Sequence, residues 1–306
     1  MMNEILAVVV TYNRKDMLVK CIDSLRKQTY SDFDILIVDN NSTDGTDETI
    51  KPYLSTTVKY HKLSENIGGA GGFNYGMRYS VENDYKYCWV MDDDTLPLEN
   101  ALSELVKADE VLDKNYGVLS SVVLWTDGKE CKMNRQKLKK DFYEDVDLLK
   151  NGLIRFEQAT FVSLFVPTKT IQKVGLPIKE FFIWGDDIEY TRRVAVRKQM
   201  NSYIVGKSQV IHAMDSNKGS SIATDNENRI NRYNHAFRNE NFLYRKEGLK
   251  GFIYYFSKCG INCIRVLRSE QSKKMNRLWI IFKNLFLGFF FNPRIETIER
   301  TKYDSK

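Results

Sequence analysis

The sequence predicts an α/β protein: a mixed, mainly parallel sheet flanked by helices, followed by a C-terminal helical extension. Three observations carry that expectation. Short apolar runs alternate with helix-length segments from residue 6 onward, which is the spacing of βαβ units. Several runs end in polar clusters (Thr11-Tyr12, Asp39-Asn40, the segment after His61), and ligands of such sheets bind beyond the carboxyl ends of the strands. One run, Tyr87-Cys-Trp-Val-Met-Asp-Asp-Asp-Thr-Leu-Pro97, opens onto three adjacent carboxylates. Like charges side by side repel one another, and a divalent cation is the commonest thing that relieves this.

The 306 residues suffice for one large domain or a domain plus an appendage. A net charge of +6 is too small to argue for nucleic acid, and no nucleic-acid-binding motif accompanies it. Cys21, Cys88, Cys131, Cys259 and Cys263 form no CxxC pair, so neither a disulfide framework nor a structural zinc site is expected. The first ten residues lack a basic n-region and read as a strand, not a signal peptide. No stretch reaches the roughly 18 uncharged apolar residues of a spanning helix. A cytoplasmic setting follows as the expectation.

In chain order, Leu6 to Val10 reads as a buried first strand. Asn13 is expected to cap the next helix, which would pack through Leu18, Ile22 and Leu25. Phe33 to Val38 is a second strand, ending in the polar turn Asp39 to Thr46, and Val58 to His61 a third. Glycines 68, 69, 71 and 72 let the backbone approach a ligand and open a helix whose N–H groups face it. This is no dinucleotide fingerprint, since Asn74 stands where the last glycine belongs, and no P-loop, since Met77 follows Gly76. Leu98 to Leu112 is an amphipathic helix, and Gly117 to Trp125 a strand hairpinned through Thr126-Asp-Gly128. Residues 131–151 read as a surface excursion, and Phe156 to Val166 as one apolar strand.

Phe181-Phe-Ile-Trp-Gly-Asp-Asp-Ile-Glu189 then leads aromatics into two aspartates and a helix. N-capping accounts for one aspartate but not for Trp184 and Gly185 placed before two. Tyr203 to Val205 and Gln209 to Ala213 are two short strands, the second carrying His212, a candidate metal ligand. Arg229 to Lys246 reads as one helix. Residues 245–283 hold ten Lys or Arg against Glu247 and Glu270, and Trp279 and five phenylalanines lie within residues 279–291. Such a basic, aromatic, amphipathic tail reads as a membrane-interface element over residues 250–291. The alternative is a helical cap packed on the first domain or on another subunit, which leaves a homo-oligomer open. The expected division is residues 1–245 and 246–306.

These motifs together resemble family 2 glycosyltransferases of the GT-A fold, over about residues 3–245. The resemblance rests on Val10-Thr-Tyr-Asn-Arg14, Val38-Asp-Asn-Asn-Ser-Thr-Asp-Gly-Thr46, Asn66-x-Gly-Gly, Asp92-Asp-Asp94 and Gly185-Asp-Asp-x-Glu189. It implies a UDP-sugar donor, with Thr11, Tyr12, Asn13, Arg14 and Asp39 toward the nucleotide and Asn66, Gly68 and Gly69 bordering ribose and diphosphate. Asp94 would hold Mn²⁺ or Mg²⁺, joined by Asp92 and His212, while Asp92 and Asp93 would orient ribose and sugar. Asp187, beside Asp186, would be the general base of an inverting transfer, and Trp184 and Tyr190 the sugar-stacking surface. The glycine run, the Asp triplet and Trp184-x-Asp-Asp-x-Glu-Tyr190 are most similar to galactofuranosyltransferases; rhamnosyltransferases share the framework. Gly185, inserted between the Trp and the Asp pair, departs from the pattern at Asp186. The implied acceptor is a glycan or lipid-linked glycan in bacterial capsule, O-antigen or related polysaccharide assembly. A nucleotidyltransferase would want a basic Gly-rich loop directly after the first strand, where Thr11-Tyr-Asn stands. A non-catalytic glycan-binding protein would have no use for both carboxylate clusters.

Overall fold

A computed structural model describes residues 3–298, so Met1, Met2 and the last eight residues of the expected extension lie outside the described residues. The first half builds the parallel part of the sheet. Strand β1 (Ile5–Thr11) leads to helix α1 (Lys15–Arg26), β2 (Phe33–Asp39), a short α2 (Thr46–Ile50), β3 (Val58–Lys62), α3 (Gly68–Glu82) and β4 (Tyr87–Asp92). β1 pairs in parallel with both β2 and β4, and β2 with β3. That register sets Thr11 beside Asp39, Val10 beside Asp92 and Asp39 beside Lys62. The polar strand ends therefore do meet along one edge.

Next come β5 (Thr95–Pro97), α4 (Ala101–Val111), β6 (Leu119–Leu124), β7 (Lys137–Leu138), α5 (Val146–Lys150), β8 (Leu153–Gln158), β9 (Leu164–Pro167), α6 (Thr168–Val174), α7 (Asp186–Arg192) and β10 (Tyr203–His212). The sheet order is β3-β2-β1-β4-β9-β6-β10-β8-β7, with β5 pairing on β10, and β9 runs antiparallel between β4 and β6. Apolar clusters cover both faces. One holds α1 and α4 through residues such as Leu18, Leu25 and Leu105; the other holds α3 through Phe73 and Met77. Each of these five side chains is almost fully buried, so truncating a leucine among them to alanine costs about 2–5 kcal/mol.

α3 sits close on β1 because two of its residues have no side chain. A Cβ at Gly72 would lie 2.6 Å from Val10 Cγ1, and one at Gly76 2.2 Å from Val8 Cγ1. Gly72 thus serves helix–sheet contact and not a ligand.

Several expected elements differ. Asn13 does not cap α1: it adopts φ 52°, and the free N–H of Lys15 is met by Asp44 Oδ2 at 3.1 Å. Phe156 to Val166 is two strands, because the chain leaves the sheet at Ala159–Ser163, where Ser163 has φ 62° and accepts from Trp89 Nε1. Residues 203–212 form one strand with an irregularity between Val205 and Gln209. The Leu124–Glu130 contact is an isolated bridge, since β6 finds its partners in β9 and β10.

The helix foreseen over 229–246 is broken into α8 (Glu227–Ile230) and α9 (Tyr233–Arg245), and α10 (Gly248–Arg268) and α11 (Lys274–Phe290) follow. α9, α10 and α11 share one apolar cluster that includes Tyr233, Phe237, Tyr255 and Ile281, with Trp184 and Ile188 of the sheet domain packed on it. The chain then returns to that domain, where Glu296 pairs with Arg78 at 2.5 Å and Lys179 at 2.6 Å. No helix among the described residues is long and apolar enough to cross a membrane.

Candidate active site

The end of β4 and the end of β10 meet at a group that could hold a cation. One carboxylate oxygen each from Asp92 and Asp94 and a ring nitrogen of His212 lie within 4.8 Å of one another. β5 brings them together: its antiparallel pairing sets Thr95 opposite His212, and the Ala213 N–H donates to the Asp94 carbonyl at 2.9 Å. Asp92 therefore joins the group, whereas Asp93 points away. Asp93 accepts from Thr11 Oγ1 at 2.7 Å and pairs with Arg14 at 3.1 Å, and Arg14 also reaches Asp94 at 2.8 Å.

The chemistry of the group fits a divalent cation. Asn134 is locked by donating to Thr160 Oγ1 (2.9 Å), so its Oδ1 faces His212 Nδ1 at 2.7 Å and makes that nitrogen the donor. Nε2 then faces Asp94 Oδ1 at 3.0 Å. Two lone pairs facing each other need a positive charge between them. Either a cation or a proton would supply it: burial works against the charged ring, but the Asp94 carboxylate and Cys131 push His212 up to about 10. Burial likewise works against the Asp94 charge, and His212 and Arg14 overcome it to hold the carboxyl at about 2. Asp92 is raised, by burial first and by Asp94 next, and Asp93 is raised to about 6 by burial with Arg14 opposing. Two carboxylates and one imidazole suit Mn²⁺, which accepts both ligand types, at least as well as Mg²⁺, which prefers oxygen.

The second acidic pair sits at the start of α7. Gly185, at φ 86°, turns the chain into the helix, so Asp186 and Asp187 are its first two residues and neither is the N-cap residue. The Asp187 carboxylate accepts from the N–H of Ile188 (2.7 Å) and from that of Phe161 in the gap between β8 and β9. Burial raises both aspartates; Asp187 also raises Asp92, and Asp92 raises Asp186, so the two acidic groups lie within electrostatic reach of each other. Glu189 is fully buried and anchors the helix through Arg193 (2.7 Å) and Arg197. Tyr190 has no exposed surface and packs on Phe161 inside the core, which removes it as a sugar-stacking surface. Trp184 remains half-buried, tilted on Tyr233 at 4.9 Å.

Along the other strand ends the side chains are already engaged. Asp39 is fully buried, accepting from Ser42 N and Oγ and from Tyr60 (2.5 Å), so it shapes the turn after β2. Asn13 Oδ1 accepts from Thr43 N, while Tyr12 is 44% exposed over this edge. Asn66 accepts from Gly68 N at 2.9 Å, and a Cβ on Gly68 would collide with the Phe182 carbonyl at 2.0 Å. Gly69 alone of the run's first pair borders open space.

The sequence model for glycosyl transferase family 2 matches residues 6–166, more than half of the chain. The chain belongs to glycosyltransferase family 2. Within the family, the galactofuranosyltransferase GlfT1 of Mycolicibacterium smegmatis is 26% identical over 198 residues, covering 61% of this chain and 64% of that protein. The chain thus spans just under two thirds of that relative's length. Among solved structures, GalNAc-T7 with UDP, GalNAc and Mn²⁺ has a TM-score of 0.62 at 13% identity, over 80% of this chain and 48% of its own. The mannosyltransferase PcManGT of Pyrobaculum calidifontis, solved with GDP-Man and Mn²⁺, has a TM-score of 0.55 at 15% identity over 94% of this chain and 76% of its own. These likenesses establish the GT-A fold.

Two residues of this family member's site carry no motif. Asn134 lies in the stretch that read as a surface excursion, yet it is buried and orients His212. Asn239 on α9 has no exposed surface; its Nδ2 lies within hydrogen-bonding distance of the carbonyls of Phe181 (3.0 Å), Ile183 (3.3 Å) and Trp184 (2.8 Å). That segment holds Phe182 at φ 62° and Trp184 at φ 77°, a conformation non-glycine residues resist. Asn239→Ala is expected to lower kcat between about ten- and a hundredfold by loosening Asp186 and Asp187, with little change in donor KM. Equal losses in donor affinity and kcat would assign Asn239 to general folding instead.

Proposed function

We propose that this chain is an inverting, metal-dependent glycosyltransferase that moves galactofuranose from UDP-galactofuranose onto a glycan or lipid-linked glycan, in bacterial surface polysaccharide assembly. The observation that carries the reading is the Asp92–Asp94–His212 group, gathered at the ends of β4 and β10, with the Asp186–Asp187 pair near enough for the carboxylates to act on one another. A cation held by Asp92, Asp94 and His212 supplies charge neutralisation for the departing diphosphate. Arg14, bridging Asp93 and Asp94 and 44% exposed at its side chain, lies where it would add a second positive charge.

Tyr12 and Asn66 belong to the nucleoside edge, whose turn Asp39 shapes from beneath, and Gly69 leaves room for the diphosphate. The acceptor hydroxyl gives its proton to Asp187 as its oxygen bonds to the anomeric carbon. The bond from that carbon to the phosphate oxygen breaks, and UDP leaves with the electron pair. One base and direct displacement give inversion. GlfT1's name, together with the glycine run and the Asp triplet, supports the galactofuranose donor.

A donor screen over UDP-galactofuranose, UDP-hexopyranoses and dTDP-rhamnose, with and without Mn²⁺, tests the reading. UDP release from UDP-galactofuranose alone, dependent on Mn²⁺, is expected; metal-independent turnover, or turnover of another donor only, would overturn it.

The setting is the inner face of the cell membrane. Fourteen of the twenty-one exposed large apolar side chains among the described residues lie between Leu249 and Phe290, interspersed with Lys and Arg. Such a surface favours anionic lipid. Co-flotation with phosphatidylglycerol vesicles at moderate salt is the check, and protein left in the bottom fraction would count against it.

A further inference from the structure

A cleft of about 410 Å³, lined in part by Trp184 and by none of the cation group, lies between α9, α10 and residues 220–222. Its size falls in the range of small-molecule sites, roughly 300–1,000 Å³. Because α9 and α10 run antiparallel, their pairings order its length. Glu240 bridges Lys258 at 2.6 Å in the middle, Tyr244 meets Tyr254 at one end, and Tyr233 lies toward Arg265 at the other. Trp184 leans on Tyr233, so the Tyr233 end is the one next to Asp186 and Asp187. Ile188, directly after Asp187, packs in the same cluster as Tyr233 and Phe237.

The lining combines aromatic faces with serine hydroxyls, the Asn262 amide, a carboxylate and an ammonium. Aromatic rings suit the C–H faces of sugar rings, and mixed donors and acceptors suit their hydroxyls. One helical step round α10 from the cleft, Ile253, Phe256, Ile264 and Leu267 form an exposed apolar stripe. A ligand that is sugar at one end and hydrocarbon at the other meets both surfaces at once.

We propose that this cleft binds the acceptor glycan, with its reacting hydroxyl at the Trp184 end, and that a lipid chain on the acceptor runs along the apolar stripe of α10. The inference rests on the glycosyl-transfer reading above and deepens it by giving the acceptor a place and an amphiphilic character.

Octyl and methyl β-D-galactopyranoside, the former below its micelle concentration, serve as probes on the full chain with Mn²⁺ and UDP present. The readout is the indole N–H signal of Trp184, assigned by its loss in Trp184→Phe. Both glycosides are expected to move that signal, the octyl form at least about tenfold tighter, since each buried methylene contributes roughly 0.8 kcal/mol.

Ser257→Phe and Asn262→Phe fill the cleft from helix positions with surface exposure. They are expected to abolish the shift and transfer to octyl galactoside while leaving Mn²⁺-dependent UDP-sugar hydrolysis unchanged, which also reports intact folding. An unmoved Trp184 signal, or filled variants that bind as well as the parent, overturns the cleft. Equal affinity for the two glycosides overturns the chain path. Glycoside binding without any UDP-sugar hydrolysis in the parent sinks the donor reading and spares the cleft.

Discussion

Asp187→Asn is expected to lower glycosyl transfer by roughly 10²–10⁴-fold while Mn²⁺-dependent UDP binding survives. Asparagine has the same shape and can still accept from the Ile188 N–H, so the start of α7 keeps its geometry. It has no carboxylate to receive the acceptor proton. The pH profile gives an independent reading. Burial raises the Asp187 carboxyl above the ordinary carboxylate range, so the ionised base is lost as pH falls through that raised value. The parent's acid limb should therefore lie above the usual range for a carboxylate, and the residual activity of Asp187→Asn should lack it. If the variant instead loses UDP affinity, Asp187 belongs to donor binding and another group is the base.

Asp94→Ala is expected to abolish the dependence of UDP binding on Mn²⁺, with a loss exceeding about a hundredfold. Asp94 is where three interactions converge: His212 on one oxygen, Arg14 on the other, and the β10 backbone on its carbonyl. Removing its carboxylate takes away a proposed cation ligand and a partner of the His212 ring. Asn134→Ala leaves all three ligands but frees the His212 ring, and is expected to weaken Mn²⁺ binding by about 10–100-fold. In the parent, Mn²⁺ with UDP should raise Tm and chelation should reverse the rise, as for any ligand of the native state. An unchanged metal titration in Asp94→Ala would remove that residue from the site.

The parallel half of the fold and its strand-end edge were legible because the signals are local. Apolar runs of strand length, helix stripes such as Leu18–Ile22–Leu25 and an abrupt Asp triplet each declare themselves within a few residues. Where the reading missed, a distant partner had decided. Residues 156–166 are mainly apolar, and the chain leaves the sheet at 159–163 to meet distant partners, among them Asp187, Thr191, Asn134 and Trp89. The glycine run read as backbone left bare for a ligand, yet Gly68 and Gly72 answer to Phe182 and Val10. Tyr190 sits in a motif but turns inward, because at the helix position after Glu189 it faces the core.

By itself the sequence determined the α/β alternation, the family resemblance and the residue types able to hold a cation and take a proton. Periodicity and local charge depend only on near neighbours along the chain, so they can be read from it. The tertiary structure alone decided which carboxylates lie together. β5 pairing on β10 carries His212 to Asp92 and Asp94, and Arg14 and Thr11 turn Asp93 aside. It also brought Asn134 behind His212 and Asn239 behind the Trp184 turn. A buried amide takes whatever donor or acceptor long-range packing sets against it, and no short stretch of sequence records that choice.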